Sequence, residues 1–75
     1  MLKFTAETQQ TIRRTANYLA ADAEELGVRS KSGLAELVLD ANRTAMFSKQ
    51  ADAEIINLIK LHGWKPVKTA AAKLL

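Results

Sequence analysis

Apolar residues recur along the chain at the spacing of α-helices, and no segment has the pattern of a clear strand. The first such pattern begins after Thr5, which is a suitable N-cap residue, and stops at Gly27, since glycine adopts the left-handed conformation of a helix C-terminus at little cost. It predicts a long first helix over residues 6–26. Its predicted buried stripe consists of Ile12, Ala16, Leu19, Ala20, Ala23 and Leu26.

Three shorter helical patterns follow and predict helices over residues 32–46, 50–62 and 66–75. The second opens at Ser30 or Ser32, which are both good N-cap residues, and the third stops at Gly63. Pro66 then lies in the first turn of the fourth helix, where proline is tolerated. Their predicted buried residues are Leu34, Leu37, Val38, Ala41, Ala51, Ile55, Leu58, Ile59, His62, Val67, Ala70, Ala71, Leu74 and Leu75.

The segments between these patterns are short, so consecutive helices should pack on one another. The sequence therefore predicts an all-α fold, a compact bundle of four helices forming a single domain over residues 1–75. Leu74 and Leu75 form an unusually apolar end. Either they dock into the core or the chain is the N-terminal fragment of a longer protein, and we expect the second.

The composition reduces the number of function classes that we expect for this chain. The chain has no cysteine and one histidine, so we expect no metal and no cofactor. It has no glycine-rich phosphate loop and no nucleophile placed beside a base, and we therefore expect no enzyme activity. Its apolar runs are too short for a signal peptide or a bilayer span, so we expect a cytoplasmic protein that does not enter a membrane.

The charge is unevenly distributed along the chain. The formal net charge is +3 and the isoelectric point is about 9.5. Acidic residues cluster at Asp22, Glu24 and Glu25, whereas no acidic residue follows Glu54. The last part of the chain instead contains Lys60, Lys65, Lys68 and Lys73. This polarity favours a polyanionic partner such as double-stranded DNA.

The stretch from Leu19 to Arg43 has the layout of a helix-turn-helix, in which the second helix enters the major groove of DNA. Ala23 supplies the small residue of the first helix, Gly27 lies in the turn, and Leu26 and Val28 flank the glycine. The apolar residues after the turn fall one place later than in the tightest pattern, which implies a turn one residue longer.

The predicted DNA contacts follow from this layout. At the start of the second helix, phosphates should be bound by Arg29, Ser30, Lys31 and Ser32. Farther along, Glu36 and Asn42 are expected to be exposed and to read base edges, while Arg43 reaches the backbone or a base.

A second candidate is EIINLIKLHGWKPVKTAAAKLL, which resembles the two helices that precede the recognition helix of Fis-like regulators. Here Lys65, Lys68 and Thr69 lie at a helix N-terminus suited to phosphate. Which of the two segments binds DNA remains open at this point.

The segment AEELGVRSKSGLAEL resembles helix-turn-helix stretches of bacterial DNA-binding proteins. As a whole, the basic, cysteine-free chain resembles the N-terminal DNA-binding domain of StbA-type proteins of conjugative plasmids. That resemblance implies a protein that binds an array of short direct repeats beside its own operon and represses that operon. It also implies a role in plasmid stability and partition, with a homo-oligomer on the repeated sites.

Two other interpretations remain open. The acidic cluster beside a basic turn also suits a helical protein–protein interaction module, such as a phage or plasmid adaptor. Leu2 to Thr5 alternates as the N-terminal strand of a ribbon-helix-helix repressor would, with Lys3 and Thr5 on one face. Against that fold, the first helix is about two turns too long and two further helices follow.

Overall fold

The computed structural model describes residues 2–43 and 49–75, without the side chain of Arg43. Its helices are α1 (Ala6–Glu25), α2 (Lys31–Arg43), α3 (Lys49–His62) and α4 (Trp64–Ala72), and the described residues contain no strand. The predicted all-α bundle of four helices is confirmed. Residues 44–46, the end of the predicted second helix, lie outside the described residues, and α4 begins two residues before its predicted start.

The helix ends follow from local hydrogen bonding. Thr5 caps α1, because its hydroxyl oxygen accepts from the backbone N–H of Thr8 at 3.4 Å. Ser30 caps α2 in the same way, since its Oγ accepts from the N–H of Gly33 at 3.0 Å. The ambiguity between Ser30 and Ser32 is therefore resolved in favour of Ser30. Between α3 and α4 lies a single residue, Gly63, with φ +91°.

The core surrounds α2, which packs against each of the other three helices. Ala35, Val38 and Leu39 of α2 are fully buried. They form one cluster with Phe4, Ile12, Ala16, Ile55, Val67 and Ala71. Leu74 and Leu75 are partly buried and also pack against this cluster.

Three residues of the predicted stripes are exposed. Leu26 is 70% exposed because it is the C-cap of α1, beyond the part of the helix that its neighbours cover. His62, the last residue of α3, is exposed for the same reason, and Ala20 is exposed as well. Conversely, the sequence pattern did not identify Phe4, whose side chain anchors residues 2–5 in the core although these residues form no strand.

None of the helices within the described ranges is both long enough and apolar enough to cross a membrane.

Candidate nucleic-acid interface

The turn between α1 and α2 spans residues 26–30. Gly27 has φ +79°, its N–H donates to the carbonyl of Glu24 at 3.1 Å, and the N–H of Val28 donates to the carbonyl of Ala23 at 2.9 Å. This pair of bonds is the Schellman arrangement, which satisfies the last carbonyls of a helix. The turn is therefore well defined, but the helix-turn-helix itself stays a prediction.

The predicted contacts around this turn, Arg29, Ser30, Lys31 and Ser32, are all exposed. A depression of about 220 Å³ is lined by Arg29 and Lys31 together with the acidic Glu24. Asp22 and Glu25 are also exposed in the last turns of α1. The potential around the turn is thus mixed in sign, which weakens its attraction for phosphate.

The outward side of α2 is acidic beyond its first turn. Ser32, Glu36 and Asp40 are exposed and four residues apart, so they follow one face of the helix. Two carboxylates on the face that would enter the major groove would be repelled by the phosphates on either side. Among the described side chains of α2, only the first turn offers one that is both exposed and basic, that of Lys31.

The prediction for Asn42 is wrong. Its side chain is fully buried, and neither its Oδ1 nor its Nδ2 has a hydrogen-bond partner among the described residues. The physical reason is the central position of α2: residue 42 lies one turn beyond Val38, on the side that faces the other helices. The side chain of Arg43, predicted to reach DNA, lies outside the described part of the chain.

The two candidate segments meet at an ion pair. Lys68 Nζ of α4 lies 4.0 Å from Glu36 Oε2 of α2, and their side chains are 25% and 52% exposed respectively. The Glu36 carboxylate therefore faces an ammonium group of its own chain. This contact is at the surface, so it contributes little to stability, but it neutralises part of the charge of Lys68.

A larger groove lies between α4 and the N-terminal segment. We call it the lysine groove; its volume is about 660 Å³ and it is lined by Leu2, Lys3, Phe4, Gln9, Lys65, Pro66, Thr69, Ala70, Lys73 and Leu74. Among the described residues that line it, the charged ones are three exposed lysines and none carries a carboxylate. Lys65 and Thr69 of α4 and its C-cap residue Lys73 are spaced four residues apart, which places them along one side of the helix.

The N-terminal wall of this groove is held by three contacts. Phe4 is 95% buried, and its carbonyl accepts from Gln9 Nε2 at 3.0 Å. The N–H and the hydroxyl of Thr5 donate to the two carboxylate oxygens of Glu54 of α3, each at 2.9 Å. These bonds fix Lys3 opposite α4.

Sequence reasoning selected Lys65, Lys68 and Thr69 from this part of the molecule and assigned no contact to Lys73. It noted Lys3 only through the ribbon-helix-helix alternative. The proximity of Lys3 to α4 joins residues more than 60 positions apart. No local pattern contains that information; the only available signal was the lack of acidic residues after Glu54.

Comparisons with protein-family models, curated proteins and solved structures found no match to this chain.

Proposed function

We propose that this protein binds double-stranded DNA and that the lysine groove of α4, rather than the first turn of α2, provides most of the phosphate contacts. The observation that carries the proposal is the set of three exposed lysines around one groove whose described lining contains no carboxylate. Phosphate contacts of this kind dominate the affinity of proteins for DNA. The turn at Arg29 and Lys31 is the weaker candidate, because Glu24 lies among its basic residues.

The spacing of the lysines suits a duplex. Lys65 and Lys73 are eight residues apart, or about 12 Å along a helix. This is close to the width of the major groove, about 12 Å, so the two ammonium groups can reach phosphates on its opposite edges. Thr69 lies between them and can donate to or accept from a base edge. Repression of its own operon from repeated sites, as the resemblance implies, belongs to the same proposal.

The experiment is a fluorescence-anisotropy titration at about 50 mM and about 200 mM salt. It compares random duplex DNA with DNA from upstream of the protein's own gene. Tighter, salt-sensitive binding to the upstream DNA is the expected result. Absence of binding to either duplex at low salt would overturn the proposal.

Variants then locate the interface. Lys65→Ala and Lys73→Ala should each weaken binding to every duplex and reduce the salt slope by about one ion. Lys60→Ala is the matched control, because Lys60 is an exposed lysine of α3 that does not line the groove. If Lys31→Ala reduces the slope while Lys65→Ala does not, the turn before α2 is the interface instead.

A protein–protein interaction module is the second candidate. It is favoured by the apolar floor of the groove, which includes Leu2, Pro66 and Leu74. Apolar contacts do not stabilise bound phosphates, whereas this floor can bury the apolar side chains of a protein partner.

A further inference from the structure

The C-terminal end of α1 exposes both carboxylates and large apolar side chains. Tyr18 is 72% exposed and Leu26 is 70% exposed. Asp22 and Glu25 are exposed as well, and residues 18, 22 and 25 follow one face of the helix. We call Tyr18, Asp22, Glu25 and Leu26 the acidic tip.

The acidic tip is not explained by the stability of its own helix. Carboxylates at a helix C-terminus interact unfavourably with the negative end of the helix dipole. The last turn of α1 contains no basic residue that would offset them. Exposed Tyr and Leu side chains likewise add apolar surface in contact with water.

The lysine groove has the complementary character. Lys3, Lys65 and Lys73 are opposite in sign to the carboxylates of the tip, and the apolar floor matches Tyr18 and Leu26. Since both surfaces belong to this chain, a second copy satisfies them without any other partner. We propose that the acidic tip of one copy binds in the lysine groove of another.

Within one molecule, the carboxylate at the end of the tip is far from the residue of α1 that lines the groove. Gln9 lines the groove and Glu25 belongs to the tip, and the 16 intervening steps of α1 separate them by roughly 24 Å. Among the described residues, no ion pair joins a carboxylate of the tip to a lysine of the groove. The contact therefore joins two different surfaces of two copies.

The test uses two variants in sedimentation velocity, from about 1 μM to about 1 mM protein at low salt and without DNA. The tip variant is Asp22→Asn/Glu25→Gln, and the groove variant is Lys65→Gln/Lys73→Gln. We expect the wild-type chain to self-associate and each variant to lose about ten-fold or more in its association constant. When the variants are mixed, the intact groove of the first should bind the intact tip of the second and restore a 1:1 complex.

Both variants use neutral replacements. The tip variant therefore raises the formal net charge of +3 by two, and the groove variant lowers it by two. Both remain positive, so net attraction cannot produce the mixed complex. Glu7→Gln/Glu24→Gln is the matched control: it removes two exposed carboxylates of α1 outside the tip and should leave self-association unchanged. Circular dichroism verifies that each variant is folded.

Three results would overturn the proposal: a wild-type chain that stays monomeric at about 1 mM, folded variants that stay monomeric when mixed, or a control that loses as much association as the tip variant. Because the measurement contains no DNA, its outcome is independent of the proposed DNA binding.

Discussion

Gly33 illustrates a residue whose role depends on its surroundings. As a glycine inside a helix it costs about 1 kcal/mol relative to alanine, which counts against a stable second helix when only the sequence is considered. In the structure a Cβ atom at this position would lie 2.8 Å from Val28 Cγ1 and 3.2 Å from Ser30 Oγ. The glycine therefore allows the turn to pack closely on the start of α2.

We expect Gly33→Ala to lower the free energy of unfolding by about 1 kcal/mol, because overpacking outweighs the gain in helix propensity. In a Val28→Ala background the same substitution should be neutral or stabilising, since the nearest atom is then absent. Urea unfolding of the four proteins in a double-mutant cycle measures this coupling. A stabilising Gly33→Ala in the wild-type background would show that the turn shifts at little cost.

Asn42 is the residue for which the sequence was most misleading. Hydrophobicity scales place asparagine at the surface, and only the packing of three helices around α2 buries it. Asn42→Asp introduces a carboxylate of nearly the same shape at this fully buried position. We expect it to lower the free energy of unfolding by about 3 kcal/mol or more at neutral pH.

The matched control is Asn57→Asp, at an exposed position of α3, which should change stability by less than about 0.5 kcal/mol. Burial disfavours the ionised form, so the pKa of the carboxyl introduced at position 42 should be higher in the folded state than in the unfolded state. The destabilisation should therefore shrink as the pH is lowered towards about 4. Equal tolerance of both substitutions would mean that residue 42 faces solvent.

At the scale of the helix, the sequence predicted which segments are helical better than which faces they bury. Helical spacing of apolar residues is a local property, and all four helices follow from it. For α2 the predicted stripe was Leu34, Leu37, Val38 and Ala41, whereas the most buried residues are Ala35, Val38, Leu39 and Asn42. Periodicity cannot indicate that a helix has neighbours on three sides, and in that situation small and polar residues become buried too.

The ion pair between α2 and α4 gives a prediction at this scale. If Glu36 acts as a counterion of Lys68, Glu36→Gln should tighten binding to all duplexes several-fold at low salt, because Lys68 is then available to phosphate. If Glu36 instead reads a base, the same substitution should relax preference at one base pair. Anisotropy titrations against a set of single-base variants of the site separate the two. The free energy of unfolding should change by less than about 1 kcal/mol in either case.

At the scale of the whole molecule, the sequence predicted the uneven distribution of charge but not where the charged groups lie in space. Clustering of acidic residues before residue 26 and their absence after Glu54 are visible in the sequence. That the N-terminal segment completes a groove with α4 depends on contacts between distant parts of the chain. Such contacts leave no periodic pattern.

The small core determines the stability of the whole molecule. Substitutions at two residues of the same predicted stripe test which of them belongs to the core. Ile12 is fully buried in the first half of α1, whereas Leu26 is 70% exposed at its C-cap. A chain of 75 residues has a free energy of unfolding of about 4–11 kcal/mol. Ile12→Ala, which leaves a cavity, should remove about 3 kcal/mol of it and lower the melting temperature by more than about 10 °C.

Leu26→Ala should lower stability by less than about 0.5 kcal/mol, because the side chain stays in water in the folded monomer. Thermal unfolding followed by circular dichroism at a few micromolar protein measures both variants, since dilution removes any contribution from self-association. The same Leu26→Ala variant should nevertheless weaken self-association at high concentration, because Leu26 belongs to the acidic tip. Comparable destabilisation by the two substitutions at low concentration would place Leu26 in the core, and the acidic tip would then lose one of its two apolar side chains.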